Sequence, residues 1–171
     1  MSRKETFVGR SGELAAMGAE LDRVRTGQPR VLWVSGPAGI GKTSLVRRLL
    51  DDRADVRVLR GDGDEGETGL SFGVLGQLVG DVPRRFLGPL LAAGPAPDAD
   101  PLAVGAELLT VLGALQSAGP VVVVVDDAQW VDDATARALV FVGRRLPATR
   151  SSSWSRRGTT PRPSRRGGSA A

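Results

Sequence analysis

Apolar residues recur along this chain at two distinct spacings, one helical and one continuous. Leu14, Met17, Leu21 and Val24 fall at helical intervals between Ser11, suited to cap a helix, and Gly27, suited to stop one, which predicts a helix over about 12–26. Val31 to Ser35 is a short apolar run that reads as a buried strand. A glycine-rich turn from Gly36 to Gly41 follows, then a helix from Lys42 to about Asp52 with Leu45, Leu49 and Leu50 on its apolar side. Val56 to Leu59 reads as a second strand, Gly61 to Gly69 as an acidic loop, and Leu70–Val79 and Arg84–Ala92 as short helices. Gly94 to Pro101 is a Pro/Ala/Asp connector. Leu102 to Ser117 carries Leu108, Leu109, Leu112 and Leu115 at helical spacing, Val121 to Val125 is a buried strand, and Ala134 to Leu146 a last helix. Strands alternating with helices predict an α/β fold, a parallel sheet with helices on both faces.

Composition narrows the chemistry. Hydrophobic residues are 41% and charged residues 25% of the 171, ordinary for a globular protein with a core of its own. The chain has no cysteine and no histidine, which excludes disulfides, thiolate metal sites and the commonest general base. Catalysis would have to run on carboxylates, Lys, Arg, Ser or Thr. The charged start, Met1 to Glu5, lacks the apolar stretch of a secretory signal, and the longest apolar run, Val121–Val125, is too short to cross a bilayer. No membrane role is expected, and the cytoplasm is the expected compartment.

The net charge of +4 is unevenly placed. Residues 147–171 carry six arginines and no acid; without them the chain has 17 basic against 19 acidic residues. The mildly acidic body gives no reason to expect nucleic-acid binding. The segment 147–171, rich in Ser, Arg, Gly, Thr and Pro, is too polar to offset its ordering entropy and is expected to be a disordered basic tail beyond a domain at 1–146.

Two segments carry chemistry. G-P-A-G-I-G-K-T, Gly36 to Thr43, fits the phosphate-binding P-loop pattern between a strand and a helix. Gly36, Ala38, Gly39, Ile40, Gly41 and Ser44 would turn backbone N–H groups toward phosphate oxygens at the start of a helix. Lys42 would reach the β and γ phosphates, and Thr43 would place its hydroxyl on Mg²⁺. The second segment is V-V-V-V-V-D-D, a buried strand ending in two acids. Asp126 is the expected Mg²⁺ partner through water, and Asp127 the candidate to orient or deprotonate an attacking water, since there is no histidine to do so. Asp132 and Asp133 precede a helix and read as its cap. Trp130 reads as a core or surface aromatic, with packing under the site the other reading. ATP with Mg²⁺ is the expected cofactor pair.

F-V-G-R-S-G-E-L at Phe7–Leu14, the P-loop, S-F-G-V-L-G-Q-L-V at Ser71–Val79 and D-D-A-Q-W-V-D-D-A at Asp126–Ala134 occur in one order. Together they resemble the N-terminal ATPase module of large ATP-binding regulators of the LuxR type, and more broadly the AAA/Orc-like and STAND P-loop ATPases. The resemblance covers about residues 5–150. It implies a P-loop NTPase fold, a nucleotide-controlled switch with possible self-association of modules, and Val8, Gly9 and Arg10 near the adenine. It also implies a role in transcription regulation, through a helix-turn-helix that contacts DNA and is absent from this chain. The sensor-1 strand, lid and partner-site arginine of related folds are missing as well, so the sheet is expected to be incomplete on its C-terminal side and hydrolysis weak or absent.

Two readings fit the tail. If Ser151, Ser152, Ser153 and Ser155 use TCN codons, reading one base earlier converts Ser151–Ser155 into five apolar residues, the missing strand, so the tail is expected to be a frameshift product. The other reading is a genuine basic arm on nucleic-acid phosphates. For the chain as a whole, a free-standing P-loop kinase or an inert fragment are the alternatives to a regulatory ATP-binding module.

Overall fold

The structure, a computed structural model, describes residues 11–27, 39–51 and 53–146. Val8, Gly9, Arg10, the strand expected at Val31–Ser35, Gly36 to Ala38 and the tail lie outside the described residues. In chain order the elements are α1 (Ser11–Arg25), α2 (Lys42–Asp51), β1 (Arg57–Asp62), α3 (Gly73–Val79), α4 (Pro89–Ala93), α5 (Pro101–Gln116), β2 (Val121–Asp126) and α6 (Asp133–Arg145). Short 3₁₀ turns occupy Glu65–Glu67, Arg84–Phe86 and Ala128–Trp130. None of the described helices is long and apolar enough to cross a membrane.

β1 and β2 pair in parallel, in register from Arg57 opposite Val121 to Asp62 opposite Asp126. Side chains alternate faces along a strand, and the packing follows that parity. Val58, Val122 and Val124 meet Leu21 of α1 and Val46 and Leu50 of α2 on one face. Leu59, Val121, Val123 and Val125 meet α3, α5 and α6 on the other, where Leu75, Val104, Leu108 and Val111 are almost wholly buried. The fold is therefore α/β, a parallel sheet with helices on both faces. Its described part has two strands.

Three elements differ from the periodicity. β1 runs on through Gly61 and Asp62, residues expected in a loop, because β2 supplies a ladder for them. Gly61 also lets α3 lie close: a Cβ there would sit 2.7 Å from Val74 Cγ1. α3 begins only at Gly73, since Phe72 takes a left-handed backbone (φ 62°) and stops the helix from extending back to Leu70. The helix expected over Arg84–Ala92 is split. Leu87 and Gly88 are extended, as the residue before a proline prefers, and Pro89 starts α4 at its first position. The Glu107 carboxylate of α5 accepts the N–H groups of Leu90 and Leu91 at 3.1 and 3.0 Å and caps that new helix from outside.

Candidate functional site

Strand parity decides where Asp126 points. It shares the face of Val122 and Val124, the face covered by α2. The first turn of α2 is Lys42, Thr43 and Ser44, and its N–H groups have no acceptors within the helix. Gly39 and Gly41 before it adopt φ of 74° and 84°, the left-handed region that glycine enters without penalty. The Gly41 carbonyl accepts the Leu45 N–H at 3.0 Å, the first bond of the helix. Ile40, between the glycines, is 46% exposed.

The two halves of the site meet here. The Thr43 hydroxyl donates to Asp126 Oδ1 at 3.1 Å, across 83 residues of chain. A hydroxyl and a carboxylate oxygen side by side at a helix N-terminus form a hard donor set of the kind Mg²⁺ prefers. Among the described residues no three His, Cys, Asp or Glu side chains could hold a metal ion by themselves. Mg²⁺ keeps waters and phosphate oxygens in its shell and takes few ligands from protein, so a hydroxyl and one carboxylate suffice to meet it. The residues present fit the ion.

Asp127 turns away from the strand through a left-handed backbone, φ 45° and ψ 47°. Its Oδ1 accepts from Gln129 Nε2 at 3.0 Å, and its carbonyl accepts the Trp130 N–H at 2.8 Å. Trp130 stands 37% exposed, a surface aromatic. The turn rests on Gly63, whose N–H donates to the Asp126 carbonyl at 3.1 Å. A Cβ on Gly63 would lie 2.5 Å from the Asp127 carbonyl oxygen.

Sequence reasoning missed three residues that shape this end of the sheet. Asp62 lies opposite Asp126 in the ladder, on the same face. Desolvation raises its carboxyl above the usual range, and the charges of Asp126, Asp127 and Asp64 push the same way. Gln77 of α3 holds the Asp62 backbone at both ends of its amide: Oε1 accepts the Asp62 N–H at 2.8 Å, and Nε2 donates to the Asp62 carbonyl at 3.2 Å. Gly63 is the third. The available signal was the run Gly61-Asp62-Gly63-Asp64 at the end of a strand, with a glutamine inside the S-F-G-V-L-G-Q-L-V segment.

Asp132 is buried, 3% exposed, and it caps α6 while holding the backbone just before α3. Its Oδ1 accepts the Thr135 N–H of α6 and the Phe72 N–H before α3, each at 2.8 Å. Of the two acids expected to cap this helix, Asp132 does so, and Asp133 is the first residue of α6.

A family model described as AAA ATPase domain matches residues 6–154. No curated protein and no solved structure matches the chain.

Proposed function

The chain belongs to the AAA ATPase domain family, and from that premise we propose that it binds Mg-ATP as the nucleotide module of a signal-responsive transcriptional regulator. The contact between the Thr43 hydroxyl and Asp126 carries the reading of the site. It joins the helix that would receive phosphates to the acid that would meet their metal. In this reading Gly36, Ala38, Gly39, Ile40, Gly41 and Ser44 present backbone N–H groups to phosphate oxygens, helped by the α2 dipole. Lys42 neutralises the β and γ phosphates, Thr43 and Asp126 hold Mg²⁺, and Val8 and Arg10 flank the base. Bound Mg²⁺ would screen the phosphate charge and orient the terminal phosphate.

Asp127 is the residue proposed to orient the attacking water. Its Oδ1 accepts from Gln129 Nε2, which fixes the direction of the carboxylate. A nucleotide-controlled switch needs binding more than speed, and the regulatory role rests on the order of the four sequence segments.

Calorimetric titration of a slowly hydrolysed ATP analogue, with and without Mg²⁺, tests this. Saturable, Mg²⁺-dependent binding that weakens in Lys42→Ala is the expected result. Equal affinity in wild type and Lys42→Ala would remove the phosphate assignment. Phosphate transfer to a small acceptor would replace the switch with a kinase.

A further inference from the structure

Asp62 ends β1 directly opposite Asp126, which ends β2. Both lie on the face of the sheet that packs on α2. Neighbouring strands stand about 4.8 Å apart, so the two acids sit side by side. On that same face the Thr43 hydroxyl, at the start of α2, meets Asp126. The charges that act on Asp62 among the described residues, those of Asp126, Asp127 and Asp64, are all negative. Like charges directly opposite one another in a ladder destabilise it.

The backbone nevertheless fixes Asp62 from both sides. Its N–H and C=O both turn to the Gln77 amide of α3, at 2.8 and 3.2 Å. The next residue, Gly63, donates its N–H to the Asp126 carbonyl at 3.1 Å. The strand end is thereby tied to α3 on one edge and to β2 on the other. α3 is tied in turn to the start of α6, where the Asp132 and Thr135 side chains accept the N–H groups of Phe72 and Leu75 at 2.8 and 3.3 Å. An acid held this firmly beside another acid costs stability, and a cation at that strand end turns the same charge into binding.

We infer, on the nucleotide reading of Thr43 and Asp126, that Asp62 is a specificity-determining residue of that site: beside Asp126, it makes the site prefer the magnesium-bound triphosphate to the free one. A triphosphate without its metal meets two adjacent carboxylates and is repelled, whereas the metal-bound form brings positive charge to the same place. Asp62 acts through water, since among the described residues no three acids form a group that could hold the ion themselves. Gln77 is a positioning residue, acting through the Asp62 backbone.

Calorimetric titration of the full chain with a slowly hydrolysed ATP analogue, once in Mg²⁺ and once in EDTA, gives the ratio of the two affinities. Asp62→Asn should lower that ratio at least about fivefold. It should do so by weakening the Mg²⁺ form, while the free form binds as well as in wild type or better. The variant should melt no lower than wild type, because Asp62 is exposed and a like-charge pair is removed. Gln77→Ala should lower the ratio by less, with no further effect in the Asp62→Asn background. A ratio unchanged by Asp62→Asn, in a protein whose affinity still falls on Lys42→Ala, would overturn this inference and leave the nucleotide reading standing. Equal loss of both forms would make Asp62 structural and overturn it as well. No binding of either form by wild type would remove the nucleotide reading, and this inference with it.

Discussion

Gly63 offers a direct test of how the Asp127 turn is held. A Cβ built on it lies 2.5 Å from the Asp127 carbonyl oxygen and 3.0 Å from both Trp130 C and Val131 N. All three are backbone atoms, so no side-chain rotation relieves the clash. Either β1 moves from β2 or the turn lifts away. Overpacking of this kind costs about 1–3 kcal/mol. A kcal/mol is worth roughly 2–4 °C in a chain of this size, so Gly63→Ala should lower the melting temperature by about 2–12 °C. Gly113→Ala is the matched control. Gly113 sits inside α5, and a Cβ there meets nothing within 4 Å. That change should stabilise the protein by about 0.5–1 kcal/mol, through helix propensity alone. Paired thermal melts followed by circular dichroism measure both. The strand–turn contact would be refuted if Gly63→Ala melted at or above wild type. If the contact holds, Gly63→Ala should also slow any measurable hydrolysis more than it weakens nucleotide binding, because it displaces Asp127 and leaves Lys42 and Thr43 in place.

Other expectations follow from the same contacts. Lys42→Ala should weaken triphosphate binding about 10- to 100-fold, the value of a hydrogen bond to a charged group, as read by calorimetry. Asp126→Asn should raise the Mg²⁺ concentration needed for tight nucleotide binding and change metal-free binding little; an unchanged Mg²⁺ requirement would count against its role. Asp132→Ala loses a cap, about 1 kcal/mol, and strands the buried Phe72 N–H, about 1–3 kcal/mol more, for a total of about 2–4 kcal/mol in urea unfolding. Hydrogen bonding from Arg25 holds the Asp55 carboxyl below the usual carboxylate range. A depressed folded value stabilises above the unfolded value of about 3.9 and is lost as pH falls through the folded one. The melting-temperature gap between wild type and Asp55→Asn should therefore be flat above about pH 5 and close in acid; it will be small, because the pair is exposed.

Much of this protein is written in short stretches of chain. The helical spacing of Leu108, Leu112 and Leu115 anticipates α5, and five consecutive valines anticipate β2. Gly27 ends α1 with a φ of 79°, as a glycine after a helical pattern suggests. The motif at Gly36–Thr43 and the acids after the valine run could be picked out for the same reason: their pattern is local, set by neighbours a few residues away. Four outcomes needed distant partners. β1 extends through Asp62 because β2 offers it a ladder, and no property of Gly61 or Asp62 alone says so. Phe72 adopts a left-handed backbone with its N–H held by Asp132, 60 residues on. Arg84–Ala92 divides where a carboxylate from α5 supplies an external cap. The meeting of Thr43 with Asp126 depends on strand parity, which turns Asp126 toward α2, and on the packing that brings α2 over that face. Spacing and propensity record what a segment prefers; pairing, register and burial depend on what stands opposite, which only the folded chain supplies.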